Sequence, residues 1–127
     1  MNMMRGIRGA ITVDQDDAQT LVVATQRLLR AMIERNGVTL DDIASVLFSV
    51  TRDLHAAFPA CGAREMGWVH VPMLHFTEID IPGSLEKCVR VLMHVNTARA
   101  ADALEHIYLE GAVALRPDLL SARRTHE

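Results

Sequence analysis

Several arginines, one tyrosine and one glutamate at a strand end are the residues of this chain whose chemistry suits an anionic ligand. A guanidinium offers paired donors that match a carboxylate, and a phenol hydroxyl adds one more donor. No obvious nucleophile accompanies them, because a Cys-His pair built on Cys61 or Cys88 lacks any supporting local signature. The residue types therefore predict an anion site. Its candidate residues are Arg8, Arg64, Arg90, Arg116, Tyr108 and Glu78.

Arg90 lies in a stretch whose alternation predicts a strand that begins at Cys88. One face carries Val89, Val91, Met93 and Val95, and the other carries Cys88, Arg90, Leu92 and His94. Burying a guanidinium among apolar neighbours costs several kcal/mol unless an anion meets it. We therefore expect a protein carboxylate or an anionic ligand beside Arg90. An arginine paired with an internal acid, or placed at a solvated edge, is the more ordinary interpretation.

Arg8 lies in a predicted strand over residues 3–13, between Gly6 and Gly9. Glycines inside a strand often mark the close approach of a ligand or of another backbone segment. An exposed arginine at a sheet edge is the alternative.

Glu78 comes at the end of a predicted strand over residues 69–79. Pro72 has no N–H to donate, so this strand must lie at a sheet edge or beside another subunit. His75 precedes Glu78 by three residues, and strict alternation places the two side chains on opposite faces. They reach one cavity only if the strand bends or ends there.

The remaining pattern predicts one α+β domain. Asp14, Asp16 and Asp17 precede an amphipathic helix that Gly37 ends. The other predicted elements are a strand over 44–51, one or two helical turns within 55–66, a helical turn over 85–87 that Ser84 caps, a short alanine-rich helix over 97–106 and a strand over 107–115.

Composition excludes several classes of protein. The net charge of −3 argues against a nucleic-acid or membrane-surface binder, and no apolar run is long enough to cross a membrane. Phosphate-loop and dinucleotide motifs are absent, and His70 and His75 lack the spacing of metal ligands, so neither a metal nor a cofactor is predicted. Two cysteines and no leader predict a reducing cytoplasm.

Four separated motifs resemble one family almost from end to end. They are RGIRGAITV from Arg5, DLHAAFPA with Arg64 just beyond it, EIDIPGSLEKCVRVLMHVNT and IYLEGAVALRPDL. Together they resemble the small monofunctional chorismate mutases of the trimeric, non-helical class typified by Gram-positive bacteria. The resemblance implies a mixed sheet of about five strands packed on one long and one short helix. It also implies assembly as a trimeric pseudo α/β barrel with sites between subunits, and a place in phenylalanine and tyrosine biosynthesis.

The resemblance also implies a role for each candidate residue. Arg90 would contact the ether oxygen and a carboxylate of chorismate, Arg8 and Tyr108 would bind carboxylate, and Glu78 would accept the ring hydroxyl. Arg64 and Arg116 would guard the entrance. The further substrate-binding residues would be Phe58, Ala60, Met73, Leu74, His75, Phe76, Thr77 and Leu115. Residues 1–118 would form the single domain and residues 119–127 a mobile tail.

Two positions depart from the family pattern. Relatives often carry a cysteine in place of His75 and a basic residue in place of Cys61. We interpret His75 as a donor to the substrate's hydroxyl or ring carboxylate, which would make activity depend on pH near the histidine pKa. The alternatives are a non-catalytic trimeric module that binds a carboxylate metabolite in the arginine-lined cleft, and a structural subunit with a vestigial site.

Overall fold

The computed structural model describes residues 2–115, and these form a five-stranded mixed sheet with the order β3-β2-β4-β1-β5. The strands are β1 (Met3–Thr12), β2 (Ile43–Val50), β3 (Met73–Thr77), β4 (Cys88–Thr97) and β5 (Ile107–Leu109). The central strand β4 runs antiparallel to both β1 and β2, while β3 and β5 run parallel to their neighbours. The predicted α+β fold is confirmed.

Helix α1 (Ala18–Asn36) covers one face of this sheet. The Asp17 carboxylate caps it by accepting the backbone N–H of Thr20. The Thr20 hydroxyl, which donates to the same carboxylate, and then this backbone hydrogen bond hold the pKa of Asp17 below its usual value. Gly37 ends the helix in a left-handed conformation with φ of 62°. The helix is amphipathic as predicted, and its buried residues include Leu21, Thr25, Leu28, Leu29 and Met32.

The two faces of the sheet differ in burial. Toward α1, the alternate β4 residues Val89 to Val95 are almost completely buried, as the alternation predicted. On the opposite face Leu92 and His94 are only half-buried, and the Arg90 side chain is 41% exposed. The Arg90 guanidinium is therefore only partly buried within a single chain, and the carboxylate expected beside it is that of Glu78.

The edge position predicted for the Pro72 segment is confirmed. Strand β3 lies at the end of the sheet, and it begins after Pro72 rather than at Val69. The Pro72 carbonyl still accepts the N–H of Val46 at 2.9 Å, so proline loses no bond that the sheet needs.

The short helix is found at a different place from the one predicted. Strand β4 continues to Thr97, and a single 3-10 turn over Ala101–Ala103 follows it, so the predicted 97–106 helix is wrong. Helix α2 (Ala60–Glu65) supplies the short helix instead, within the irregular stretch where one or two helical turns were predicted.

Two further local predictions are wrong. Strand β5 stops at Leu109, because Glu110 adopts a left-handed φ of 54° and a 3-10 turn continues to Leu115. No helical turn forms over 85–87. The Ser84 hydroxyl donates to the carbonyl of Ile81 at 2.6 Å, and the Asp53 carboxylate accepts the N–H of Lys87, which has a φ of 48°.

Candidate functional site

Strand pairing places two of the candidate side chains, Arg90 and Tyr108, in one row across the sheet and a third, Arg8, on the same face. Ala10 of β1 pairs with Arg90 of β4 on one side and with Tyr108 of β5 on the other. Arg8 lies two residues before Ala10 and therefore projects from the same face. This face points away from α1.

A cavity of about 400 Å³ lies over this row, and we call it the Arg90 groove. The groove is more apolar than polar in its lining, with two arginines, a tyrosine and a serine as its charged and hydroxyl groups. Its residues are Arg8, Gly9, Ala10, Leu47, Phe48, Ser49, Phe76, Arg90, Val91, Leu92, Tyr108 and Leu115. Such a lining suits a small ligand that carries negative charge on a largely apolar frame.

Glu78 lies beside Arg90, in the lining of a neighbouring cavity of about 430 Å³ rather than of the groove itself. Its Oε2 is 2.8 Å from the Nε of Arg90, and the Glu78 side chain is 22% exposed. Both atoms are shielded from solvent, yet they are not aligned as a hydrogen bond. The close distance and opposite charges make this an ion pair.

The backbone explains why Glu78 reaches Arg90. The Glu78 N–H donates to the carbonyl of Val50 at 2.8 Å, which extends the β2–β3 pairing by one residue. Ser49 pairs with Arg90 on one side and with Phe76 on the other, so Phe76, Ser49 and Arg90 share a face. Glu78 lies two residues after Phe76 and follows the same alternation.

His75 lies on the opposite face of β3. It pairs with Phe48, whose ring is stacked on the imidazole at a centroid distance of 5.3 Å. The Phe58 ring contacts the same imidazole at 5.0 Å. His75 and Glu78 therefore do not share a cavity within one chain, as strict alternation predicted.

A second cavity, of about 530 Å³, surrounds this histidine and is called the His75 cavity below. Its lining comes from the loop before α2 and from the edge strand. It consists of Val50, Leu54, His55, Ala56, Ala57, Phe58, Pro59, His75, Phe76 and Thr77. Phe76 contributes to both cavities.

The His75 ring is held in one tautomer. Its Nε2 accepts the backbone N–H of Ala60, the first residue of α2, at 3.1 Å. A nitrogen that accepts cannot carry a proton, so the neutral ring has its hydrogen on Nδ1. Burial first, and the charge of Arg64 second, lower the pKa of His75 below its usual 6.5.

The other predicted site residues divide between these two regions or lie near them. Leu115 lines the Arg90 groove, while Phe58 and Thr77 line the His75 cavity. Ala60 and Arg64 belong to α2, the first buried and the second exposed. Met73 and Leu74 belong to β3. Arg116 and the predicted tail lie outside the described residues.

Some groove residues were not singled out from the sequence. Ser49, Leu47 and Leu92 line the groove, and their alternation placed each on a polar or half-buried face, but only the pairing register shows which faces coincide. Cys88 neighbours Arg90 and is fully buried. Burial raises the pKa of its thiol to about 11, with Arg90 acting in the opposite direction. Such a thiol is not a nucleophile near neutral pH.

Within residues 2–115, no three histidine, cysteine or acidic side chains lie close enough together to bind a metal ion. The helices of this part of the chain are too short or too polar to cross a membrane.

Comparison with known proteins agrees with the geometry. The family model described as chorismate mutase type I matches residues 4–119. The chain is 48% identical to chorismate mutase AroH of Thermus thermophilus over 122 residues, which is 95% of this chain and 100% of that protein. It is 45% identical to chorismate mutase AroH of Bacillus subtilis over 124 residues, 97% of this chain and 98% of that protein. A solved chorismate mutase from Clostridium thermocellum superposes with a TM-score of 0.85 at 52% identity, covering 86% of this chain and 97% of that one.

Proposed function

Because the chain belongs to the chorismate mutase type I family and therefore isomerises chorismate to prephenate, we propose that the Arg90 groove is where this reaction takes place. The observation that supports this placement is the ion pair between Glu78 and Arg90, because Arg90 lines a groove together with Arg8 and Tyr108. The reaction is an intramolecular Claisen rearrangement, which requires neither a nucleophile nor a proton donor.

Arg90 supplies the electrostatic part of catalysis. In the transition state the C–O bond breaks ahead of C–C bond formation, so negative charge accumulates on the ether oxygen. A fixed guanidinium beside that oxygen stabilises the transition state more than the substrate, which is the condition for a higher rate. Glu78 holds the guanidinium from the other side, so little reorganisation accompanies the charge shift.

Glu78 also contributes to substrate conformation. A carboxylate is an acceptor, the Glu78 side chain is 22% exposed, and the ring hydroxyl of chorismate is a donor that can bind it. Binding the ring at Glu78 and the ether oxygen at Arg90 fixes both ends of the rearranging system. Holding reacting atoms in a near-attack geometry removes part of the entropic barrier.

Arg8 and Tyr108 bind substrate carboxylate. Arg8 is exposed on β1, and Tyr108 is half-buried on the neighbouring strand β5, so the two donors approach the groove from adjacent strands. An arginine and a phenol hydroxyl together provide several donors to one carboxylate. This contact is made in the substrate and in the transition state alike, so it contributes mainly to KM.

The His75 cavity forms the other wall of the site in an assembly of copies. Within one chain it opens on the opposite side of β3 from Glu78, while the resemblance assigns Phe58, Ala60, Arg64 and His75 to the same substrate. A homotrimer with sites between subunits reconciles the two, because a neighbour's His75 cavity can face the Arg90 groove. In that arrangement the Nδ1–H of His75 is the donor available to the substrate.

The direct test follows the loss of chorismate absorbance with the purified protein and with Arg90→Ala. We expect the substitution to lower kcat by about 10²- to 10³-fold, as removal of an oxyanion-hole donor does. Arg90→Lys is the matched control, since it keeps the charge and loses the planar fork, and its activity should be intermediate. Full activity in Arg90→Ala would refute the placement.

The same experiment separates the alternatives. Absence of turnover by the unmodified protein, together with tight binding of chorismate or prephenate, would indicate a binding module. Absence of both turnover and binding would indicate a structural subunit with a vestigial site.

A further inference from the structure

Strand β5 is three residues long, yet it carries Tyr108 into the Arg90 groove. So short a pairing is weak by itself, because each backbone hydrogen bond contributes little net stability. A side chain reinforces it at each end. The Thr12 hydroxyl accepts the N–H of Gly111 at 2.8 Å after the strand, and the Nδ1 of His106 accepts the N–H of Arg8 at 2.9 Å before it.

The hydrogen bond to His106 satisfies the backbone N–H of Arg8, which has no partner in the β1–β5 pairing. Parallel pairing between β1 and β5 starts at Gly9 and Ile107, so the amide of Arg8 lies just before the paired stretch. An unpaired N–H inside a sheet is costly, and the imidazole nitrogen takes the place of a backbone carbonyl. The residue that receives this bond is the arginine that we assign to the substrate carboxylate.

The backbone next to His106 is anchored to helix α1 through Asn36. The preceding residue, Glu105, exchanges two hydrogen bonds with the buried side chain of Asn36, its N–H donating at 2.7 Å and its carbonyl accepting at 2.9 Å. The Asn36 amide also donates to the carbonyl of Met32 at 2.8 Å, at the end of helix α1. The imidazole therefore projects from backbone that is anchored to the main helix.

We propose that His106 is a positioning residue for the carboxylate-binding part of the site. By accepting the Arg8 N–H, its Nδ1 fixes the position of the Arg8 backbone relative to Tyr108. The guanidinium and the phenol hydroxyl then converge on one carboxylate. The inference rests on the proposed function, because it concerns how the groove holds its substrate.

Two amide variants test the role of the Nδ1 position. In His106→Asn the side-chain oxygen lies near the position of Nδ1, so the acceptor for Arg8 is retained. In His106→Gln the oxygen lies nearer the position of Nε2, so the acceptor is displaced although size and polarity are similar. The control for loss of a histidine is His70→Asn, at an exposed site outside the groove.

The measurements are steady-state kinetics with chorismate and hydrogen exchange at the Arg8 amide. We expect His106→Gln to raise KM by about tenfold, the equivalent of one lost hydrogen bond, with kcat within about threefold of the unmodified protein. His106→Asn should keep KM within about threefold of the unmodified protein. The Arg8 amide should exchange slowly in His106→Asn and fast in His106→Gln.

Each result is decisive. Equal KM values in the Asn and Gln variants, with an active unmodified protein, would overturn the role of His106 and leave the proposed function intact. A fall in kcat that follows the urea midpoint of each variant would indicate a structural role only and would also overturn it. An unmodified protein that does not turn over chorismate would refute the proposed function, and the substrate role of His106 with it.

Discussion

Arg90 has a protein carboxylate beside it and still faces an open groove. From the sequence, an internal acid and an anionic ligand were alternative partners for this guanidinium. In the structure Glu78 is 2.8 Å away, but the Arg90 side chain remains 41% exposed and the pair is not aligned as a hydrogen bond. The two explanations are therefore compatible. A guanidinium has five donors, and one carboxylate does not use them all.

At the same scale, His75 should make stability depend on pH. Its folded-state pKa lies below 6.5, chiefly because burial disfavours the charged ring. Between that pKa and 6.5 the unfolded chain binds a proton that the folded chain does not, so the free energy of unfolding falls as the pH is lowered through this window. Above pH 6.5 the ring is neutral in both states, so no stability is lost through His75. Urea midpoints measured from about pH 7.5 to about pH 4.5 check this.

The matched control is His75→Gln, because the glutamine oxygen can accept the Ala60 N–H as Nε2 does and does not titrate. The variant should lose less stability than the unmodified protein over the acid range. An identical loss in both proteins would show that other groups carry the whole pH dependence.

At the scale of elements, the contact between β1 and α1 depends on the absence of a side chain at Gly9. A Cβ added there would lie 2.5 Å from the Sδ of Met32 and 3.1 Å from the Cδ1 of Leu28. We expect Gly9→Ala to destabilise the protein by about 1–3 kcal/mol, as overpacking of a core does. Urea unfolding measures the loss.

Gly6→Ala is the control, because its Cβ would meet Leu92 Cδ1 at 3.3 Å on the half-buried face, where the neighbour can move. Gly6→Ala should lower the free energy of unfolding by less than Gly9→Ala does. Combining Gly9→Ala with Met32→Ala should lower the free energy of unfolding by less than the sum of the two single losses, since the two changes affect the same space. Equal losses for both glycines, or strict additivity, would contradict close packing at Gly9.

The elements also show what the sequence could and could not reveal. Alternation identified β1, β2 and β4, because each has one face that is buried in the core. The helix predicted over 97–106 failed because alanine content indicates only local propensity, whereas Asn36 binds the backbone of Glu105 from 69 positions away. The strand predicted to Leu115 failed at Glu110, whose left-handed φ of 54° no residue pattern signals.

The site was predictable in content but not in arrangement. Residue types indicated an anion site at Arg8, Arg90 and Tyr108, and the family resemblance identified the ligand. The row formed by Ala10, Arg90 and Tyr108 depends on strand order and register, which long-range pairing sets.

At the scale of the whole molecule, the described chain presents large apolar side chains to solvent around both cavities. Phe58 is 64% exposed, Leu74 60% and Phe76 50%. Exposed apolar clusters of this kind usually mark a surface that another chain covers. A cyclic trimer would bring the Arg90 groove of one copy against the His75 cavity of the next, by an interface between two different surfaces.

Mixing two defective variants tests this arrangement. Arg90→Ala damages the groove half of the site, and Arg64→Glu damages the half near the His75 cavity by reversing the charge on α2. If sites form between copies, unfolding the two variants together and refolding them at equal amounts creates some sites with both halves intact. Random assortment makes these about one quarter of all sites, so activity should return to about a quarter of that of the unmodified protein.

The control mixes Arg90→Ala with Arg8→Ala, whose defects lie in the same groove. No assortment of these two chains produces an intact groove half, so this mixture should have only the average activity of its two components. Restored activity in the first mixture and none in the second requires that two chains contribute different residues to one site. If neither mixture gains activity after refolding, each chain carries a complete site, and the His75 cavity does not belong to a neighbour's groove.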